Sequence, residues 1–455
     1  MKVCKFGGSS VASGEQIRKV IEIVTADAAR RLIVVSAPGK RSSDDDKVTD
    51  LLIVCAERAL EGNDAMPEME KVVARFEEIA RTLELDESLV EETRSDLKER
   101  LARDKSHAGR FMDCMKAAGE DLAAKFVAAA FNKSGLAATY IDPAEAGMLL
   151  SDEFGCARLL PEAYDKLRES LASRSEIVIF PGFFGCTCSG DIATFPRGGS
   201  DITGAILAAA LKADVYENFT DVDNVYPVDP RLVPGVSEGI TEMTYREMRE
   251  LSYAGFGVFH DEAVQPAIEA SIPINIRNTN NPASPGTMVL VRRTVQPGRI
   301  LGIASDGGFC SVYVSKFLMN REVGFGRRLL QIFEEEGISF EHAPSGIDNM
   351  SVILRESVFA DPLRSKVLER IRVELDVDQV SFESALALVM VVGEGMRYTV
   401  GIATRITGAL ARAGVNIEMI NQGSSEISVM LGVRADQRQQ AVQALYEEFF
   451  AAREA

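Results

Sequence analysis

Four polar stretches of this chain set glycine beside charge: KFGGSS at 5–10, SAPGKRSSDDDKVTD at 36–50, PRGGSD at 196–201 and TDVDNVYPVDPR at 220–231. Paired glycines let a backbone come close to a ligand and turn its N–H groups on anionic oxygens. Lys5 and Arg197 add full positive charges to two of these loops. Such groups suit phosphates and carboxylates; taken alone, KFGGSS is equally the tight turn after a first strand. No GxxxxGK[ST] loop occurs, and no GxGxxG fingerprint follows the first strand, so neither a Walker cradle nor a dinucleotide turn is present.

The elements that must carry these loops are readable from periodicity. MKVCKF reads as a strand, and Ser13 with Gln16 forms a capping box ahead of Ile17, Val20, Ile21 and Val24 on one helical face. RLIVVSAPG at 31–39 is a buried strand with its turn, so the chain opens as strand, glycine loop, helix, strand, the start of a parallel α/β unit. Further strands are expected in EIVIFPGFFG (176–185), ADVYENFTD (213–221) and PINIRNT (273–279). In an open parallel sheet the loops at the carboxyl ends of the strands converge on one crevice, which would unite all four stretches. Residues 50–135 read as charged helices, an insert or surface hairpin whose charges form a solvated face.

Composition narrows the partners. With 50 basic and 68 acidic residues the formal charge is −18, which opposes nucleic acid; a small anion would need a local basic pocket. The 455 residues, 46% hydrophobic and 26% charged, call for two or three globular domains. Seven scattered cysteines read as reduced thiols, since Cys186 and Cys188 have one residue between them, and with three histidines away from them no metal site is expected. No leader pattern and no apolar run of about 18 residues is seen, so no membrane partner is expected and the cytoplasm is the expected location.

Beyond the turn-rich junction near 293 lies an internal repeat. GISFEHAPSGIDNMSVIL from Gly337 aligns without gaps on GVNIEMINQGSSEISVML from Gly414, an offset of 77 that also pairs Met319 with Met396, Gly324 with Gly401 and Arg328 with Arg405. Each copy reads as a βαββαβ unit, a small sheet covered on one face by helices, and such units commonly pair.

KFGGSS, SA with VTD, PGFFG, RGGSD and TDVDNVYPVDPR, in that order and followed by the repeat, resemble the aspartokinases of the amino acid kinase superfamily with paired ACT domains. The resemblance covers nearly the whole chain apart from the helical insert. It implies an α/β fold with an open, mainly parallel sheet and helices on both faces, plus two ferredoxin-like ACT domains. The expected boundaries are 1–293 for the kinase domain with its insert at about 60–110, then 300–380 and 381–455 for the ACT copies, the strand at 299–305 being assignable to the second. The implied activity is transfer of the ATP γ-phosphoryl group to the β-carboxylate of L-aspartate, with Mg2+ on the phosphates, as the first step towards lysine, threonine and methionine.

Residue by residue, the resemblance makes Lys5 the lysine that neutralises the transferring phosphoryl group and Asp201 the acid that organises it. Gly7, Gly8 and Ser9 would cradle phosphate, and Thr220, Asp221, Tyr226 and Arg231 would contact the nucleotide. Arg197 would hold the α-carboxylate and Glu120 the ammonium of aspartate, with Ser36, Thr49, Phe183, Gly198, Gly199 and Ser200 lining that side. Asn416, Ile417, Gln422, Ser424, Ser425 and Glu426 match the effector pattern, with lysine or threonine as the effector, and the ACT copies imply a homodimer or larger homo-oligomer. The chain departs from the family at SYAGFGVFHDEAVQPA, where Gly257 and Asp261 stand for a nucleotide-site lysine and a proline; Arg231 and Lys40 are the candidate replacement cations. The strand-two loop is also lengthened, and its three aspartates would repel phosphate unless turned outward. The competing readings are another amino acid kinase and a non-catalytic amino acid sensor on a decayed kinase.

Overall fold

The computed structural model describes residues 1–255 and 261–451. Two compact units emerge: Met1–Val225 with Gly239–Tyr245 and Phe259–Arg293, and Tyr226–Glu238 with Arg246–Val258 and Thr294–Ala455.

The first unit begins with β1 (Lys2–Phe6), α1 (Gly14–Thr25) and β2 (Arg30–Val35), then four helices, α2 (Val48–Leu60), α3 (Met66–Leu83), α4 (Ser88–Ala102) and α5 (Ala108–Lys133). β3 (Ala138–Tyr140), α6 (Pro143–Ala146), α7 (Ala163–Leu171) and β4 (Ile177–Pro181) follow, then the hairpin β5 (Phe184–Cys186) and β6 (Ile192–Thr194), α8 (Gly199–Leu211) and β7 (Val215–Thr220). β8 (Glu242–Thr244), α10 (Gln265–Glu269), β9 (Ile274–Asn278) and β10 (Thr287–Leu290) complete the first unit up to residue 293; α9 (Tyr245–Tyr253), between β8 and α10 in the chain, is counted from Arg246 on with the second. An eight-stranded sheet runs in the order β3-β4-β2-β1-β7-β9-β10-β8, and every neighbouring pair is parallel except β9 with β10. β1 and β2 are buried almost end to end because helices shield a parallel sheet; their unbroken apolar runs follow from that.

Local signals behave as their chemistry dictates, with instructive exceptions. Ser13 Oγ accepts from the Gln16 N–H at 3.4 Å, but the Gln16 amide reaches across to Asn280 Oδ1 instead of back to Ser13, so only half of the expected capping box forms. The strand expected over 176–185 breaks at Gly182: Phe183 takes φ +76° and throws the chain out of the sheet into β5. The charged helices α3 and α4 form no detached hairpin. Met69, Val72, Val73, Phe76 and Ile79 of α3 are buried in one core with β1, β2 and α5, so only their polar face is solvated.

In the second unit β11 (Gly302–Ser315), α11 (Phe325–Glu335), β12 (Asn349–Arg355), α12 (Leu363–Leu375), β13 (Gln379–Val392), α13 (Ile402–Arg412), β14 (Met419–Asn421), β15 (Ser428–Arg434) and α14 (Arg438–Phe449) build one antiparallel sheet, β12-β11-β13-β15-β14. The two repeats are therefore not two separate small sheets. β11 and β13 pair along their lengths, and each feeds two cores: Ile303, Ala387, Val389 and Val391 face one, Cys310, Val312 and Val314 the other. GISFEHAPS, 337–345, forms isolated bridges rather than a strand, at His342 with Ile353 and Ser345 with Met350. No helix among the described residues is long and apolar enough to cross a membrane.

Candidate active site

β1 lies between β2 and β7, so the loops leaving those three strands meet. Gly7 donates to the Phe219 carbonyl at 3.1 Å, Ser36 to the Phe6 carbonyl at 3.1 Å, and Gly39 to the Gly8 carbonyl at 2.9 Å. A Cβ on Gly8 would stand 2.9 Å from the Ala37 oxygen, which is why the first loop keeps glycine there. Ser9 is exposed at the tip, in a helical turn over Gly8–Val11. Thr49 sits half-buried in the first turn of α2, whose Val48 amide is tied to the Pro38 carbonyl at 3.1 Å. KFGGSS and SAPG thus lie against each other, with Thr220 and Asp221 at the end of β7 beside them.

Lys5 is buried near the end of β1, and its Nζ lies 2.6 Å from Asp201 Oδ1. Asp201 stands in the first turn of α8 but does not cap it; Gly198, in the left-handed region, is the N-cap, and the Asp201 side chain is free to face Lys5. Asn218, in the middle of β7, donates to the same Asp201 oxygen at 2.5 Å, and the Tyr216 hydroxyl donates to the Asp201 carbonyl at 3.3 Å. Asn218 was not among the expected site residues. Its signal was present as an uncharged polar residue between Glu217 and Phe219 in the buried central strand VYENFT.

The acceptor side gathers around α5 and the PRGGSD turn. Glu120 is buried on α5, and its Oε2 has no partner. Burial pushes its carboxyl up to about 8, against the opposing pull of the Ala37 amide, the Lys5 charge and the Ser200 hydroxyl. Ser200 packs on Gly182, and Gly199 on Phe183, so the turn after β4 and the start of α8 interlock through glycines. Phe183, half-buried, donates its amide to Thr203 Oγ1 at 3.0 Å, and the Lys116 ammonium stands 5.8 Å from its ring centroid. Lys116, one helical turn before Glu120, is itself held by Asp113 at 2.9 Å. Arg197 is exposed and has no ion-pair partner among the described residues, which leaves its planar fork open for a carboxylate.

A second polar centre supports the first from below. Glu217, 1% exposed on β7, accepts from Arg30 at 2.6 Å, Arg277 at 3.3 Å and Lys2 at 3.4 Å. Desolvation raises its pKa, but the Arg30 hydrogen bond and charge outweigh that and hold the carboxyl below its ordinary range.

Other expected residues fall elsewhere. Tyr226 and Arg231 belong to the segment counted with the second unit, where Arg231 Nη2 pairs with Asp229 at 2.7 Å. Gly257 lies outside the described residues. Of the effector set, Asn416 donates to Glu418 at 2.9 Å, Ile417 packs on the second unit's core, and Glu426 accepts from the Tyr398 amide at 2.8 Å. Gln422, Ser424 and Ser425 are exposed. The three aspartates of the long loop do not crowd the glycines as one negative cluster: Asp44 and Asp46 are exposed, and Asp45 is paired with Arg41 and Arg75.

Residues 1–278 match the amino acid kinase family, and residues 389–449 match an ACT domain. The chain is 55% identical to Aspartokinase 3 of Bacillus subtilis (strain 168) over 451 residues, covering 99% of each. The crystal structure of Clostridium acetobutylicum aspartate kinase is similar at a TM-score of 0.86 and 37% identity, covering 98% of this chain and 99% of that one. E. coli aspartokinase III is 26% identical and covers 99% of this chain in two forms: with lysine and aspartate (TM-score 0.77, 99% of that chain) and with aspartate and ADP (TM-score 0.76, 100% of that chain). Glycine loops meeting at Lys5, an open arginine ahead of α8 and a buried glutamate on α5, followed by an ACT domain, agree with these likenesses: the chain belongs to the aspartokinases of the amino acid kinase family.

Proposed function

We propose that this enzyme transfers the γ-phosphoryl group of ATP to the β-carboxylate of L-aspartate through the site built on Lys5. The observation that carries the reading is the Lys5–Asp201 pair at the junction of the glycine loops. A carboxylate oxygen attacks the γ-phosphorus, the bond from that phosphorus to the bridging oxygen breaks, and ADP leaves with the electron pair. No proton need be removed, because the acceptor is already an anion at neutral pH. The obstacle is repulsion between two anions, which positioning and fixed positive charge must offset.

Lys5 meets the transferring group, and Asp201 fixes where its ammonium stands. The amides of Gly7, Gly8 and Ser9, with Thr220 and Asp221 beside them, receive the phosphates; Tyr226 and Arg231 serve the nucleotide. Arg197 takes the α-carboxylate of aspartate, Glu120 the ammonium, and Ser36, Thr49, Phe183 and Gly198 to Ser200 shape the pocket. The metal ion would come with the nucleotide, phosphates and waters supplying most of its ligands. Mg2+ bound to the phosphates would neutralise part of their charge, with Asp221 as the exposed carboxylate at the end of β7. The ACT region, with Asn416, Ile417 and the 422–426 loop, would bind an amino acid end product, lysine being the first to test and threonine the second, in a homo-oligomer.

A hydroxamate assay with ATP, Mg2+ and L-aspartate, run with and without lysine and threonine, tests this. Aspartyl hydroxamate is expected; its absence, or a higher rate with glutamate or acetylglutamate as acceptor, would overturn the assignment.

A further inference from the structure

The lengthened loop GKRSSDDDK is tied down by a residue of α3. Arg75 is 5% exposed; its Nη1 donates to the Gly39 carbonyl at 2.8 Å, and its Nη2 to both Asp45 oxygens at 2.6 Å and to the Asp46 carbonyl at 3.1 Å. Arg41 grips the same carboxylate from within the loop: its backbone amide and Nε reach Oδ2, and its Nη2 reaches Oδ1, each at 2.9 Å, while the guanidinium also pairs with Glu78. One aspartate thus collects two arginines, and residues 39–46 form a folded strap instead of a loose excursion. The strap begins at Gly39, whose amide donates to Gly8 of the first glycine loop at 2.9 Å.

Lys40 is the next residue. It is exposed, its Nζ lies 3.4 Å from the Ser43 carbonyl, and it has no ion-pair partner among the described residues. Arg41 and Arg75 are both engaged with acids. Arg231, the other cation considered for the charge missing at 257, places Nε and Nη2 on Asp229. Lys40 therefore joins three properties: it follows the Gly8–Gly39 contact directly, its backbone is held by a buried clamp, and its charge is uncompensated.

We infer that Lys40 is a second cation for the phosphates of the nucleotide, presented beside the glycine loop by the strap that Arg75 and Asp45 lock. This rests on the reading of Lys5 to Ser9 as the phosphate loop. The helical insert then has a task at the site: α3 supplies the guanidinium that holds the strap.

The test compares wild type, Lys40→Met, Lys40→Arg, Lys47→Met and Asp45→Asn in ATP and aspartate kinetics and in calorimetric binding of ADP at low and high salt. Lys40→Met is expected to raise the ATP KM and the ADP Kd about tenfold, the scale of one lost charge-assisted contact, and to weaken the salt dependence. Its aspartate KM and kcat should stay within about twofold of wild type. Lys40→Arg restores most of the affinity, and Asp45→Asn shifts it in the same direction by less. An unchanged ADP Kd in Lys40→Met, or an equal loss in Lys47→Met, overturns the inference. Wild type that binds ADP in a Lys40-dependent way without phosphorylating aspartate would leave the inference standing and sink the proposed activity.

Discussion

Asn218 and Lys5 converge on a single oxygen: Asp201 Oδ1 takes the Asn218 amide at 2.5 Å and the Lys5 ammonium at 2.6 Å. β1 and β7 are parallel neighbours with Lys5 registered against Asn218, so the strand pairing itself fixes this three-residue unit. On the proposed reading Asn218 would act through Asp201, as a positioning residue. Asn218→Leu is expected to lower kcat about tenfold while leaving the aspartate KM near wild type, since it loosens the acid and not the acceptor pocket. Asn218→Asp would set two carboxylates together and give a pH-dependent kcat absent from wild type. An aspartate KM rising as steeply as kcat falls, in Asn218→Leu, would contradict the assignment.

Lys5 and Arg197 should separate in kinetics. Lys5→Ala is expected to lower kcat on the order of 10²–10³-fold, because on the proposed reading its charge meets the transferring group, where a preorganised contact counts most. Arg197→Ala should chiefly raise the aspartate KM. Steady-state measurement of both constants decides it; the opposite pattern would exchange the two roles.

Glu120 predicts a pH dependence of known sign. Its carboxyl is raised from an ordinary 4.5 to about 8 by burial, so between those values the folded chain holds a proton that the unfolded chain has lost. Its contribution to stability is therefore full below about 4.5 and declines as pH rises towards 8. Binding an ammonium group requires the ionised form, so kcat/KM for aspartate should climb with pH up to about 8. Glu120→Gln should flatten that climb and raise Tm relative to wild type increasingly between pH 4.5 and about 8, levelling off above that. A pH-independent Tm difference would refute the buried acid.

The glycine contact admits a steric test. A Cβ at Gly39 would meet the Gly8 carbonyl carbon at 2.7 Å, backbone against backbone, so the two loops must part. Gly39→Ala should raise the ATP KM about tenfold or more with a smaller change in the aspartate KM. Equal effects on both substrates would mean that the loops move as one body.

Beneath the site, Arg30→Met leaves Glu217 buried with only its three longer contacts, to Arg277, Lys2 and the Cys4 thiol. A loss of about 3 kcal/mol in urea unfolding is expected. Because the Glu217 carboxyl is held low, its stabilisation is present above 4.5 and lost on acidification, so the stability difference between wild type and variant should be full above about 4.5 and shrink as pH falls below it. A difference below about 0.5 kcal/mol would place the weight of the cluster on Lys2 and Arg277.

By itself the sequence determined the pieces whose physics is local. Buried apolar runs announce parallel strands, Ser13 announces a helix start, and the offset of 77 announces the duplicated C-terminal region, while the glycine pairs beside lysine and arginine suit anions without excluding plain turns. Tertiary structure alone decided what depends on approach between distant segments. It put β1 between β2 and β7, which brings Asp201 and Asn218 to Lys5; it bent the chain at Phe183; and it ran β11 and β13 through both cores of the duplicated region. It also turned Arg75, one of the two arginines of the charged helix α3, inward onto Asp45. A side chain's type states which partner it needs, but whether a charged residue faces water or a buried acid is set by the packing of elements far apart in the chain.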